Sequence, residues 1–120
     1  MSTSPIRLLP QGSDRGMQPS DMVSPDDFTT DDKTELIDNL FATEDESILT
    51  GVWECAPCRE EIDAYPVHEM MSVISGSVTL TDADGNAQTF TAGDVFFIPK
   101  GTRCVWEITE KLRKFYMIAE

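Results

Sequence analysis

Basic residues are scarce in this sequence: nine lysines and arginines stand against 22 aspartates and glutamates, for a formal net charge of −13. Nucleic acid and anionic membrane surfaces repel such a chain, so we expect neither as a partner. Apolar runs of membrane-spanning length are also absent, and the first residues lack the charged-then-apolar pattern of a secretory signal. These absences predict a cytoplasmic protein.

Cysteine is sparse as well, with three residues in the chain. An odd number in a cytoplasmic protein predicts free thiols rather than a disulfide framework. Two of them form Cys55-Ala56-Pro57-Cys58. The redox version of this spacing opens a helix after a strand, and a zinc knuckle needs a second pair, so we interpret it as chance spacing. A reversible disulfide across this turn is the alternative.

The length of 120 residues indicates one domain, and acidic residues are unevenly placed within it. Residues 21–46 hold ten acids and one base, and four prolines occur before residue 30. We predict an irregular acidic arm over residues 1–40 and a barrel domain over residues 41–120. Within the arm, Asp32–Phe41 has spacing that suits either a short helix or an edge strand.

From residue 47 onward, short strand-like segments alternate with turn signals. Ser47–Cys55 alternates in polarity, Asp84-Gly85 is a hairpin turn, and Val95–Ile98 is a short β-branched and aromatic run that ends at Pro99. Further breaks are predicted at Ser75-Gly76 and at Glu110-Lys111. Seven or eight short strands predict an all-β fold, and a double-sheet jelly roll protects sheet edges best at this length.

Two motifs in this region resemble those of the cupin family. The pattern G-D-x-x-x-x-P-x-G spans Gly93–Gly101, and upstream Glu69 precedes Gly76 with the spacing of the first cupin motif. The run Gly51–Pro57, the pair Trp106-Glu107 and the ending Glu110–Tyr116 are similar to small single-domain cupins. That group includes the cupin domains of ureidoglycine aminohydrolase and of ethanolamine-utilisation proteins, and many of its other members have no established function. The resemblance implies an RmlC-like double-stranded β-helix (jelly-roll) barrel with its site in the lumen, and a homodimer.

The resemblance also implies where a cupin metal site would lie, and in this sequence other residues stand at its three histidine positions. Metal-binding cupins read H-x-H, then glutamate, then a third histidine downstream; these positions carry Asp63, Tyr65, Glu69 and Cys104. Histidine occurs once, at His68, and strand alternation points it away from a lumen that contains the adjacent glutamate. We therefore expect no cofactor, with a divalent metal (Mn, Zn, Fe or Ni) at those four positions as the alternative.

The expected lumen is apolar with few polar groups, as is usual for small-molecule sites. The predicted ligand-binding residues are Tyr65, Glu69, Met71, Cys104 and Trp106. Candidate catalytic residues are Glu69, as an acid or base with a raised pKa, and Cys104, which is otherwise a small buried apolar residue.

Three functions fit these residues, and whether the chain is an enzyme stays open. The first is a barrel that binds a small polar metabolite without the triple-histidine metal site. The second is a metal-dependent enzyme like ureidoglycine aminohydrolase, acting on a small nitrogen-containing metabolite. The third is a non-catalytic assembly or structural cupin whose barrel is filled by its own side chains.

Overall fold

The structure, a computed structural model, describes residues 4–120 and contains eight strands and one short 3₁₀ helix in that range. The strands are β1 (Gln18–Pro19), β2 (Glu35–Ala42), β3 (Ile48–Cys55), β4 (Cys58–Ile62), β5 (His68–Asp82), β6 (Ala87–Thr91), β7 (Val95–Ile98) and β8 (Cys104–Ala119). The 3₁₀ helix covers Pro25–Asp27. The predicted all-β jelly-roll class is confirmed. No helix within residues 4–120 has the length and apolar character needed to cross a membrane.

The two longest strands, β5 and β8, run antiparallel along most of their length and join the two halves of the barrel. The second half of β8 pairs with β3, and the first half of β5 pairs with β7. The first half of β8 pairs with β4, and the second half of β5 pairs with β6. The paired strands therefore form two layers, and side chains that point between them form the core.

The predicted breaks inside β5 and β8 are wrong, because each segment is one continuous, bent strand. Register shifts occur between Val73 and Val78, opposite the 110–113 segment. Gly76 sits at the bend with φ +82°, and a Cβ there would lie 1.9 Å from the carbonyl oxygen of Lys111. The turn signals therefore mark a bulge where two backbones meet, a role that glycine serves because it has no side chain.

The sheet also extends into the segment that the sequence marks as the acidic arm. Of the two alternatives for Asp32–Phe41, helix or edge strand, the structure has strand β2, which pairs with β3 and with the short β1. A strand also forms at β4, where the acid-rich sequence gave no strand signal. Its residues Cys58, Glu60 and Ile62 alternate inward with exposed Arg59 and Glu61.

Candidate ligand-binding cavity in the barrel

A cavity of about 170 Å³ lies between the two layers, next to Glu69. Most of its wall is aliphatic or aromatic. Its polar and aromatic lining residues are Asn39, Trp53, Glu60, Tyr65, Glu69, Trp106, Lys114 and Tyr116. A concave, largely apolar space with a few polar groups is the usual form of a small-molecule site.

A buried ion pair forms part of the cavity wall. Lys114 Nζ lies 2.8 Å from Glu69 Oε2, and the two residues are 4% and 6% exposed. The Tyr65 hydroxyl donates a hydrogen bond of 2.8 Å to the other carboxylate oxygen, Glu69 Oε1. Both oxygens of the carboxylate thus receive a donor, which is what a buried charge requires.

The Lys114 ammonium is enclosed by side chains on its other sides. Its nitrogen lies 4.8 Å from the ring centroid of Trp53 and 4.9 Å from that of Trp106, and it contacts the Met71 sulfur. The two indole rings meet edge to face with centroids 6.3 Å apart. Cation–π attraction is strongest with Trp and in desolvated sites, so the two rings stabilise the ammonium.

The two tyrosines of the wall are neutral hydrogen-bond donors. Burial, together with the Glu69 charge, raises the pKa of Tyr65 above its ordinary value. The pKa of Tyr116 is raised for the same two reasons, and its hydroxyl donates to Asn39 Oδ1 at 2.8 Å. Neither phenol is therefore available as a phenolate at neutral pH.

Glu60, on β4, is a third charged residue of the wall. Burial raises the pKa of its carboxyl, the negative charges of Asp27 and Glu35 raise it further, and the Lys114 charge opposes the rise. No hydrogen bond or ion pair within residues 4–120 involves this carboxylate. Glu60 is therefore half-buried in the cavity wall without a partner.

The five residues predicted to bind a ligand are divided by the structure. Tyr65, Glu69 and Trp106 line the cavity. Met71 is fully buried behind it and touches the lysine, and Cys104 faces other concavities of the surface. Burial and the Glu60 charge raise the pKa of the Cys104 thiol, so nothing there activates it as a nucleophile.

The residues at the four metal-ligand positions do not fit a divalent ion. Asp63 is exposed, and within residues 4–120 no group of three or more His, Cys, Asp or Glu side chains is arranged to hold an ion. The glutamate that would be a ligand already pairs with the Lys114 ammonium and with Tyr65. A metal would have to displace that ammonium and deprotonate a tyrosine whose pKa is raised.

The sequence interpretation missed Lys114 and Glu60. Lys114 alternates with Leu112 and Tyr116, both of which point inward, so period-two alternation through β8 would have identified a buried lysine. No comparable signal marked Glu60, because its strand was not recognised.

Part of the acidic arm closes one side of the cavity. The Glu35 carboxylate accepts hydrogen bonds from the Ser20 hydroxyl, the Met22 and Val23 amides, and Trp53 Nε1, at 2.5–3.1 Å. These bonds hold Met22 and Val23 in the cavity wall. Asp38 anchors an earlier part of the arm through Ser13 and Arg15.

The remaining sequence candidates lie outside the cavity. His68 is exposed on the outer face, with its ring stacked on Phe97 and its Nδ1 accepting the Lys100 amide. Cys55 and Cys58 are free, fully buried thiols. A hydrogen bond from the Cys55 thiol to Cys58, together with burial, raises the pKa of Cys55, and the same hydrogen bond lowers the pKa of Cys58. Both thiols are fully buried, and the pair lies between strands β3 and β4 rather than at the start of a helix, as it does in redox proteins.

Solved structures with this architecture include proteins of unknown function. A DUF861-family protein of unknown function from Pseudomonas syringae pv. tomato is 29% identical with a TM-score of 0.77; the match covers 86% of this chain and 44% of that one. A DUF861-family protein from Thermotoga maritima is 32% identical over 54% of this chain and 73% of that one, with a TM-score of 0.50. The present chain thus spans less than half of the Pseudomonas protein.

A third structure shares the fold at lower identity. A putative ethanolamine utilisation protein EutQ from Salmonella typhimurium is 20% identical with a TM-score of 0.68, covering 87% of this chain and 78% of that one. No curated protein matches the chain. The sequence model of the EutQ-like cupin domain matches residues 42–116, more than half of the chain. The chain therefore belongs to the EutQ-like cupin domain family.

Proposed function

We propose that this cupin binds a small polar metabolite in the barrel lumen and does so without a divalent metal. The supporting observation is the cavity of about 170 Å³ beside the buried Glu69–Lys114 pair. An engineered apolar cavity of about 150 Å³ binds benzene, so this lumen has room for a molecule of about that size. The ion pair and the tyrosines add polar groups that would select among ligands of that size.

The charge arrangement around Glu69 supports a metal-free lumen. The Lys114 ammonium neutralises the carboxylate at 2.8 Å, where a metal-binding cupin would have its cation. Lys114 is also 4% exposed, and its two indole neighbours hold it in place. Removing one partner of such a pair costs several kcal/mol, so a divalent ion would have to offset that loss before it could bind.

The other two functions have weaker support. The metal-dependent enzyme resembling ureidoglycine aminohydrolase rests on the sequence resemblance, and its ligand set is altered at every histidine position. The assembly cupin requires a lumen filled by side chains, whereas a cavity lies beside Glu69.

Elemental analysis tests the metal-free proposal. Purified protein would be analysed as isolated and after incubation with Mn, Zn, Fe and Ni, in parallel with Glu69→Gln and with Glu61→Gln as an exposed control on β4. We expect no stoichiometric metal in any sample. A full equivalent that is lost in Glu69→Gln and retained in Glu61→Gln would overturn the proposal and make ureide substrates the first assays.

We also propose that two copies associate through one outer face of the barrel. Phe97, Met70 and Met117 lie side by side across β7, β5 and β8, and each is 42–55% exposed. Phe41, Ile48 and Val95 extend this surface, and all six side chains are apolar and exposed. We call these six residues the outer apolar face.

Charge favours a second copy as the occupant of that face. Two chains of net charge −13 repel each other, so contact is least costly where both surfaces are uncharged. A two-fold dimer places the same patch on both sides, which an apolar, self-complementary sheet face satisfies.

A cytoplasmic location also remains our proposal, and the three free thiols support it.

A further inference from the structure

Glu60 is the charged group of the cavity wall that has no partner among residues 4–120; the Trp106 indole N–H is also without a hydrogen-bond acceptor there. Its side chain projects from β4 into the lumen beside Trp106, its cross-strand neighbour. Hydrogen bonds and ion pairs within residues 4–120 leave its carboxylate unengaged. A half-buried carboxylate without donors is unfavourable, and a ligand that supplies a donor removes that penalty.

The other charged groups of the wall are already engaged. Glu69 receives the Tyr65 hydroxyl and the Lys114 ammonium, so its charge is neutralised within the protein. Glu35 lies behind the lining, and its carboxylate is hydrogen-bonded by four neutral donors from the arm and from Trp53. Among the charged groups that line the cavity, Glu60 is therefore the one that a ligand meets without a counter-charge, and its charge is negative.

The surroundings of Glu60 strengthen this negative character. Asp27 and Glu35 are close enough for their charges to act on the Glu60 carboxyl, whereas Lys114 is the cation that opposes them. The lysine is itself committed to Glu69 at 2.8 Å. Like charges gathered in a partly desolvated space attract a cation and repel an anion.

We propose that the lumen selects a compact organic ammonium ion, with the ammonium group bound by Glu60 and the apolar body packed between the aromatic and aliphatic walls. The inference deepens the proposed function and depends on it, since it names the ligand class for the same cavity. A volume of about 170 Å³ accommodates an apolar body of roughly the size of benzene, or about six non-hydrogen atoms.

An organic cation fits this wall better than a metal ion. No group of three or more potential metal ligands forms within residues 4–120. The lining beyond the polar residues is aliphatic, including Ile37, Leu49, Ile62 and Ile118. Such a surface gains free energy by covering carbon, which a hydrated metal ion does not provide.

The test compares two probes of nearly equal shape, cyclopentylammonium and cyclopentanol. Their affinities would be measured by calorimetry at neutral pH for the wild type, for Glu60→Gln and for Glu61→Gln. Glu61 is the matched control because it lies next to Glu60 on β4 but points outward, so both variants remove one charge. Unfolding curves for all three proteins establish that each is folded.

We expect the wild type and Glu61→Gln to bind cyclopentylammonium at least about tenfold more tightly than cyclopentanol, as for a hydrogen bond to a charged group. Glu60→Gln should lose this preference and still bind the alcohol. Equal affinity for both probes in the wild type, or a preference that survives in Glu60→Gln, would overturn the ammonium inference and leave the binding function intact. Failure of both probes to bind any of the folded proteins would count against the binding function itself.

Discussion

Lys114 shows how one side chain sets the chemistry of this lumen. Its ammonium lies against Glu69 and between two indole rings, and it is 4% exposed. The pair is electrically neutral as a whole, but each charge depends on the other because both side chains are almost fully buried.

We predict that Lys114→Met lowers the free energy of unfolding by about 3–5 kcal/mol, because it leaves the Glu69 carboxylate buried without a counter-charge. Chemical denaturation measures the change. The double variant Lys114→Met, Glu69→Leu should recover most of the loss, since it removes both charges together. A single variant as stable as the wild type would show that water reaches the carboxylate.

A second residue-scale prediction concerns Glu60 and pH. Burial and the charges of Asp27 and Glu35 raise the pKa of its carboxyl in the folded protein, and Lys114 opposes them without cancelling the rise. The unfolded chain therefore releases the proton at lower pH than the folded one does. Through this group, stability is highest when the carboxyl is protonated and is lost as pH rises through the folded-state pKa.

Glu60→Gln removes that contribution. The wild type should therefore lose stability relative to the variant as pH rises. The change should occur between a pH below the ordinary pKa of glutamate and neutral pH. Denaturation at a series of pH values measures it, with Glu61→Gln as the control. A difference that does not change with pH would mean that Glu60 is well solvated.

At the scale of elements, the arm is held to the barrel by two buried acids. Glu35 fixes residues 20–23 over the cavity, and Asp38 fixes residues 13–15 away from it. Two buried carboxylates thus anchor two parts of the arm, and the part held by Glu35 forms one side of the cavity.

We predict that Glu35→Gln lowers stability by about 1–3 kcal/mol, because an amide cannot accept all the hydrogen bonds that the carboxylate receives. It should also speed hydrogen exchange of the Met22 and Val23 amides. Asp38→Asn should leave those two amides protected, although it weakens the earlier part of the arm. Unchanged exchange in Glu35→Gln would mean that packing alone holds this side of the cavity.

The bend shared by β5 and β8 gives another prediction at this scale. Gly76→Ala would place a Cβ 1.9 Å from the Lys111 carbonyl oxygen, at φ +82°. We expect a loss of more than about 4 kcal/mol, since the backbone itself must move. Gly85→Ala has a similar φ of +89° with nothing within 4 Å, and should cost about 1–2 kcal/mol. Equal losses in the two variants would show that the strand crossing is not tight.

At the scale of the whole molecule, the outer apolar face and the net charge of −13 act in opposite directions on association. We predict a dimer in analytical ultracentrifugation at physiological salt, where charge repulsion is screened. Met70→Lys, at the centre of the face, should shift the protein to monomer. Gln88→Lys on exposed β6 adds the same charge elsewhere and should leave the dimer intact. A monomeric wild type, or a dimer that tolerates Met70→Lys, would contradict the proposed interface.

Local sequence patterns determined the fold class and much of the inward-facing surface. Alternation around Glu69 and Trp106 follows from the pleat of a strand, so those side chains could be assigned to the interior without coordinates. The turn motifs Gly93–Gly101 and Asp84-Gly85 depend on residues close in sequence, and they marked their positions correctly.

Tertiary structure alone decided the ion pair, the unpartnered carboxylate and the closure of the cavity by the arm. Lys114 and Glu69 are 45 residues apart, and Glu35 reaches back to Ser20, Met22 and Val23. Such contacts depend on how bent strands bring distant residues together, and a local pattern does not contain that information. For the same reason Gly76 resembled a turn in the sequence, and only the approach of the Lys111 backbone showed it to be the crossing point of two continuous strands.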